Sequence, residues 1–222
     1  MRKVRLTVVG VAAASLVLAG CASDRDSDSD ASGTTSADGG ATTSEEVVFT
    51  FASSNDPASL DPAFASDGES FRVARQMFEG LVGTVPGTAD PAPLLAETWD
   101  VSEDGLEYTF NLKSDVTFHD GTDFNAEAVC FNFERWNNFT GVAATESLSY
   151  YWGKVNGGYA ETGGGKYASC EAPDESTAVI KLSSPLPELV AAMSLPAFSM
   201  QSPTALAEYD ADNVGGASDA PV

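Results

Sequence analysis

Between positions 106 and 112 apolar and polar side chains alternate without a break. Leu106, Tyr108, Phe110 and Leu112 point one way and Glu107, Thr109 and Asn111 the other. A period of two predicts a strand with one buried and one solvated face. Val47-Val48-Phe49-Thr50-Phe51 is β-branched and aromatic throughout and predicts a buried strand. Shorter strands are expected at Val116-Thr117-Phe118, before a turn at His119-Asp120-Gly121, and at Thr177 to Leu182. The period changes elsewhere. Glu69 to Glu79 places Phe71, Ala74 and Phe78 at helical spacing with Gly80 as the stop. Asn125 is a good N-cap for a helix to about Asn138, with Val129, Phe133 and Trp136 on one stripe. Short helices are expected at Pro187 to Ser194 and at Pro203 to Tyr209, the second capped by Ser202 with Pro203 in its first turn. Asn55-Asp56-Pro57 and Asp61-Pro62 mark turns, and Gly153 to Gly165 reads as a polar, glycine-rich surface excursion. Mixed short strands and helices indicate an α/β or α+β domain. The roughly 175 residues from Val47 onward can bury a core.

Residues 22–45 break this pattern. They are almost wholly Ser, Asp, Thr, Gly and Ala, without one large apolar side chain. Such a tract cannot offset the entropy of ordering and is expected to stay disordered. It would span about 25–30 Å on average, enough to lift a domain off a membrane surface. Asp26, Asp28 and Asp30 follow the one-three-five rhythm of a calcium loop. Ala31 and Ala37, however, stand where that loop needs Gly and Glu. The tract reads as a tether.

Before it, Arg2, Lys3 and Arg5 precede a fifteen-residue apolar stretch from Leu6 to Gly20. That is short of the roughly 20 residues a membrane-spanning helix needs, and the arrangement describes a secretory signal over residues 1–20. Its end, Leu18-Ala19-Gly20-Cys21, resembles the lipobox of bacterial lipoproteins. There the chain is cut before the cysteine, whose sulfur carries a diacylglyceryl group. The resemblance makes Cys21 a lipidation site and the protein extracytoplasmic, moored to the cell membrane by its acyl chains.

Charge narrows the partners. With 11 basic and 33 acidic residues the net charge is −22, and cleavage before Cys21 would leave 8 basic residues and about −25. Such a surface repels phosphate backbones, so nucleic acid is not expected as a partner. If Cys21 is lipidated, Cys130 and Cys170 remain as an even pair in an oxidising setting, where a disulfide persists. Two buried free thiols are the alternative.

The residues for catalysis are sparse. His119 is the one histidine, lies in a turn, and has no nucleophile-elbow sequence beside it. One histidine also argues against zinc. Gly163-Gly164-Gly165-Lys166-Tyr167 lacks the leading glycine and following Ser or Thr of a phosphate loop. Its glycines fit a dinucleotide pattern only loosely, with no strand leading in. Pairs such as Glu45-Glu46 and Glu103-Asp104 are expected by chance in so acidic a chain, rather than as glycosidase carboxylates. No enzyme activity and no cofactor are expected.

The central stretch carries the most specific pattern. Leu94-Leu95-Ala96-Glu97-Thr98-Trp99, Ser102-Glu103-Asp104-Gly105, Tyr108-Thr109-Phe110-Asn111-Leu112-Lys113, Val116-Thr117-Phe118-His119-Asp120-Gly121 and Asn125-Ala126-Glu127-Ala128-Val129 follow in order. This block resembles the family 5 extracellular solute-binding proteins, the oligopeptide, dipeptide and nickel binders of ABC importers. Ser59-Leu60-Asp61-Pro62, Phe78-Glu79-Gly80-Leu81 and Thr177 to Leu182 extend the resemblance over most of Val47 to Tyr209. It implies a periplasmic-binding-protein-like α/β fold of two lobes that close on a ligand, with a subdomain inserted in the first. Residues 1–20 would be the signal and 21–46 the lipidated cysteine and tether. Residues 47–77 would open the first lobe, 78–182 form the insert that holds Cys130 and Cys170, and 183–222 return to the lobe. Members of the family are usually much longer, so only the first lobe and its insert are expected here. The resemblance also implies a small solute, peptide first and nickel chelate or sugar after it, and an ABC permease as partner. It places Ser66, Asp67, Gly68 and Ser70 on the cleft face, where the polar groups would meet a peptide backbone and Gly68 would allow close approach. The rival function is a scaffold or adhesion lipoprotein that keeps the fold without transport.

Overall fold

The Asp61 side chain accepts a hydrogen bond from the Ala63 amide and so opens a 3₁₀ turn, Pro62–Phe64, the first regular element of the computed structural model. The structure describes residues 48–213; the expected signal, Cys21 and the tether lie outside them. In chain order follow helix α1 (Gly68–Met77), strands β1 (Val82–Thr84), β2 (Pro91–Pro93), β3 (Ala96–Val101) and β4 (Glu107–Leu112), and helices α2 (Ala126–Asn137) and α3 (Tyr150–Asn156). Strands β5 (Tyr167–Asp174) and β6 (Thr177–Leu182), then helices α4 (Leu189–Ala192) and α5 (Pro203–Glu208), complete them.

Four strands form an antiparallel sheet in the order β3-β4-β6-β5, and β1 pairs with β2 apart from it. The register of the two central strands sets Phe110 against Ala178 and Tyr108 against Ile180, all of them buried. A large ring opposite a methyl leaves room for a helix above. That helix is α2, whose Val129, Phe133 and Trp136 are fully buried, as its 3.6-residue stripe requires. Phe133, Trp136, Trp152, Tyr167 and Phe198 pack ring to ring at 5.1–6.4 Å, bringing together α2, α3, β5 and the turn before α5. Cys130 of α2 and Cys170 of β5 are joined in a disulfide with their Cα atoms 5.2 Å apart.

The caps are those the sequence names. Asn125 accepts from the Ala128 amide (2.9 Å) and Ser202 from the Ala205 amide (3.2 Å). Several expectations need correction. Val48, Phe49 and Phe51 form no strand and lie exposed, because β-type side chains make a strand only against a partner edge, and none of the described strands pairs with them. Val116–Phe118 contributes a single bridge, Thr117 to Asp123, since the chain turns back too soon for a ladder. The first helix ends at Met77, two residues before Glu79, and the helix expected from Pro187 shortens to Leu189–Ala192. The segment Gly153–Gly165 is not a loose excursion. It begins inside α3 and closes around Asn156, whose Oδ1 accepts from the amides of Lys166 and Tyr167.

Glycine is needed here for close packing. A Cβ on Gly153 would stand 2.8 Å from the Tyr159 hydroxyl, and one on Gly165 2.4 Å from the Asn156 side-chain nitrogen. Tyr159 is buried and its hydroxyl donates to the Ser149 carbonyl (2.8 Å). Gly153→Ala should therefore reverse the usual sign of a helical Gly→Ala change. Propensity gains somewhat under 1 kcal/mol, displacement of Tyr159 costs more, and a net loss of about 1 kcal/mol is expected in urea unfolding. A more stable variant would show that Tyr159 moves aside freely.

Candidate functional site

The corner from Ala65 to Phe71 is shaped by Asp67. Its Oδ1 accepts from the amides of Glu69 (3.0 Å) and Ser70 (2.9 Å), which caps α1, and its Oδ2 accepts from the Ser70 hydroxyl (2.5 Å). The Ser70 oxygen in turn accepts from the amides of Ala58 (2.9 Å) and Ser59 (3.1 Å) and is fully buried. These bonds, the Ser70 hydroxyl foremost, hold the Asp67 carboxyl below its ordinary range. Asp67 and Ser70 thus spend their polar groups on the corner itself. Ser66 and Gly68 are exposed, and the space where a Gly68 Cβ would stand is open.

Beside this corner rises an aromatic step. Ala65, Phe71 and Ala197 form a small buried cluster against which Tyr151 packs, with the Phe71 and Tyr151 rings 5.4 Å apart. Tyr150 meets Tyr151 edge-on at 5.1 Å, is exposed, and carries the Lys154 ammonium 5.6 Å above its ring. Behind the corner, Glu69 accepts from Arg72 and from the hydroxyls of Ser53 and Ser54, and its pKa falls to about 2, chiefly through Arg72. The arrangement offers main-chain groups, one free hydroxyl and aromatic faces to a guest. It suits binding. Tyr150 and Tyr151 were not singled out in the sequence, although the run Ser149-Tyr150-Tyr151-Trp152 at the start of a glycine-rich stretch was the available signal.

A second concavity lies elsewhere. An apolar cleft of about 560 Å³ opens between the end of α1, the Val116–Phe124 turn and α5, lined among others by Met77, Phe118, Met200, Leu206 and Tyr209. None of residues 66–70 lines it, while His119 stands at its exposed mouth. Its floor includes Asp61 and Gln201, both bonded to the buried Arg135 of α2. Arg135 donates to Asp61 (2.7 Å), Gln201 (2.6 Å) and Asp212 (2.6 Å), and Gln201 donates to Asp61 (2.9 Å). The guanidinium also sits over the rings of Phe64 and Phe139. Burial would lower the Arg135 pKa, but Asp61 and then Asp212 more than compensate and raise it. Among the described residues no group of three or more His, Cys, Asp or Glu could hold a metal ion.

Residues 90–222, which include the whole four-stranded sheet, α2 and α5, match the family model described as bacterial extracellular solute-binding proteins, family 5 middle. The chain belongs to this family. Heme-binding protein A of Haemophilus influenzae (strain ATCC 51907 / DSM 11121 / KW20 / Rd) is 38% identical over 132 residues, covering 56% of this chain and 23% of that protein. Glutathione-binding protein GsiB of Escherichia coli (strain K12) is 35% identical over 150 residues, covering 68% of this chain and 26% of that protein. The chain thus spans about a quarter of the length of the curated relatives it matches. The ABC transporter-associated periplasmic binding protein DppA from Helicobacter pylori, solved in complex with peptide STSA, superposes with a TM-score of 0.58 at 28% identity, over 71% of this chain and 31% of that one. HbpA2 from Haemophilus parasuis gives 0.56 at 27%, over 72% and 31%. The family 5 chain described here therefore has the α/β architecture of part of the periplasmic-binding-protein-like fold. No helix among the described residues is long and apolar enough to cross a membrane.

Proposed function

We propose that this chain is the solute-capturing part of a lipid-anchored extracytoplasmic protein that delivers a small solute, peptide first, to an ABC permease. The observation that carries the reading is the family match over residues 90–222. Peptide is favoured because three relatives are named for peptide or peptide-like solutes, DppA with a bound peptide, MppA as a murein tripeptide binder and GsiB for glutathione, against heme for heme-binding protein A. Cys21 after Leu18-Ala19-Gly20 supplies the anchor and residues 22–45 the tether. Residues 47–77 and 183–222 belong to the first lobe and 78–182 to its insert. The solute rests on the exposed edge at Ser66 and Gly68 against the Tyr150–Tyr151 step, while Asp67 and Ser70 keep that edge in shape. The function is binding and release, without a chemical step.

Native mass spectrometry of the protein extracted in detergent from its own cells tests this. The expected species starts at Cys21, carries acyl groups, and releases a peptide on activation. Release of a nickel chelate or a sugar would replace the solute. An acylated chain that carries nothing and shows no thermal shift with peptide mixtures would favour a scaffold lipoprotein. Gly68→Trp, which fills the open space before α1, is expected to weaken peptide binding by about tenfold or more without lowering the melting temperature of the solute-free protein. Unchanged affinity would remove Gly68 from the site.

A further inference from the structure

The walls of the 560 Å³ apolar cleft differ in how firmly they are held. Leu95, Phe124 and Met200 are core residues, each almost inaccessible to solvent. The α5 wall is different. Ala205, Leu206 and Tyr209 face the cleft, yet α5 contains no buried residue, and Tyr209 is 73% exposed. A helix of six residues does not hold itself together in water, so its position depends on its two ends. At the first end Ser202 donates to the Asp120 carboxylate and caps α5, which ties it to the Val116–Phe124 turn. At the other end the Asp212 carboxylate accepts from Arg135 Nε at 2.6 Å.

This second tie has one rigid and one wet partner. The Arg135 side chain is 1% exposed and is fixed by Asp61 and Gln201, whereas the Asp212 side chain is 53% exposed. Breaking the pair leaves the buried guanidinium matched by Asp61. The movement therefore strands no buried charge, the outcome that makes such a break costly elsewhere. The geometry points to a latched lid: α5 and the turn to Asp212 swing about Ser202 over the apolar cleft, and the Arg135–Asp212 ion pair is the latch. The lid is separate from the corner at Ser66 to Ser70 and does not depend on the solute assigned to it.

Hydrogen exchange on the full chain without solute tests the latch. The amides of Leu206, Tyr209 and Ala211 donate within the lid itself, to the carbonyls of Ser202, Ala205 and Leu206; a helix this short frays once it leaves the cleft, so their exchange reports opening. In Asp212→Asn they are expected to exchange roughly fivefold faster, the scale of a partly exposed ion pair, while amides of β4 and β6 keep their rates. The dye 8-anilinonaphthalene-1-sulfonate should bind more of the variant, and Asp212→Glu should restore both readings. Unchanged exchange at 206–211 would overturn the latch. Equal acceleration in β4 and β6 would overturn it too, since Asp212 would then serve global stability.

Discussion

Replacing Cys130 and Cys170 together by alanine is expected to lower the unfolding free energy by about 4 kcal/mol, the chain-entropy value for a bridge closing 40 residues. That is a large share of the 5–15 kcal/mol typical of a folded domain. The location argues for the full effect. The bridge fastens α2 to β5, the edge strand of the sheet, whose register with β6 slips twice and which carries Pro173 near its end. A strand with one neighbour and an irregular ladder has little else to hold it. The 40-residue loop contains α3 and the turns around Asn156, all of which gain from the closure. A Cα separation of 5.2 Å is within the range a disulfide spans without moving the backbone. Urea unfolding should show the midpoint falling and the m-value rising, because the uncrosslinked chain exposes more surface when unfolded. A loss below about 1 kcal/mol would mean that the aromatic cluster alone fastens β5.

Legibility of the fold followed the reach of each signal. Strand β4 and helix α2 were readable because one local period decides which face is buried, and both bury it against each other's side of the sheet. The caps at Asn125 and Ser202 were readable because a cap is a contact over three residues. Strand β5 was missed: Tyr167, Ala168, Ser169, Cys170, Glu171, Ala172, Pro173 and Asp174 show little alternation, and register shifts after Tyr167 and Glu171 break the period of two. The glycine-rich segment was misread because composition shows freedom, whereas packing against Tyr159 and Asn156 shows constraint. Of the corner residues, the sequence indicated Asp67 and Ser70 as polar groups but not that their bonds turn inward. That depends on Ala58 and Ser59 coming back across the helix, a tertiary fact. The Arg135 network was invisible for the same reason, since its members stand 66 to 77 positions from Arg135.

That network predicts the other large effect. Asp61→Ala is expected to cost about 3–5 kcal/mol, because it leaves the Arg135 charge buried with only the half-exposed Asp212 to match it. The substitution also removes the acceptor for the Ala63 amide and one partner of Gln201. Arg135→Met alone should cost less than Asp61→Ala, since the carboxylate keeps those two donors. The double variant Asp61→Ala with Arg135→Met should be more stable than Asp61→Ala alone, for no buried charge then stands unmatched. Such non-additivity in a double-mutant cycle is the signature of a shared network. Asp61 precedes the Ser66 corner by one turn of chain, and Gln201 follows the segment that packs on Phe71 through Ala197. Asp61→Ala should therefore loosen the corner as well as the core, and exchange of the Glu69 and Ser70 amides should quicken along with those of α2. If Asp61→Ala costs less than about 1 kcal/mol, Asp212 suffices to neutralise Arg135, and the Asp61 pair is not the tie between the corner and the helix that carries the sheet.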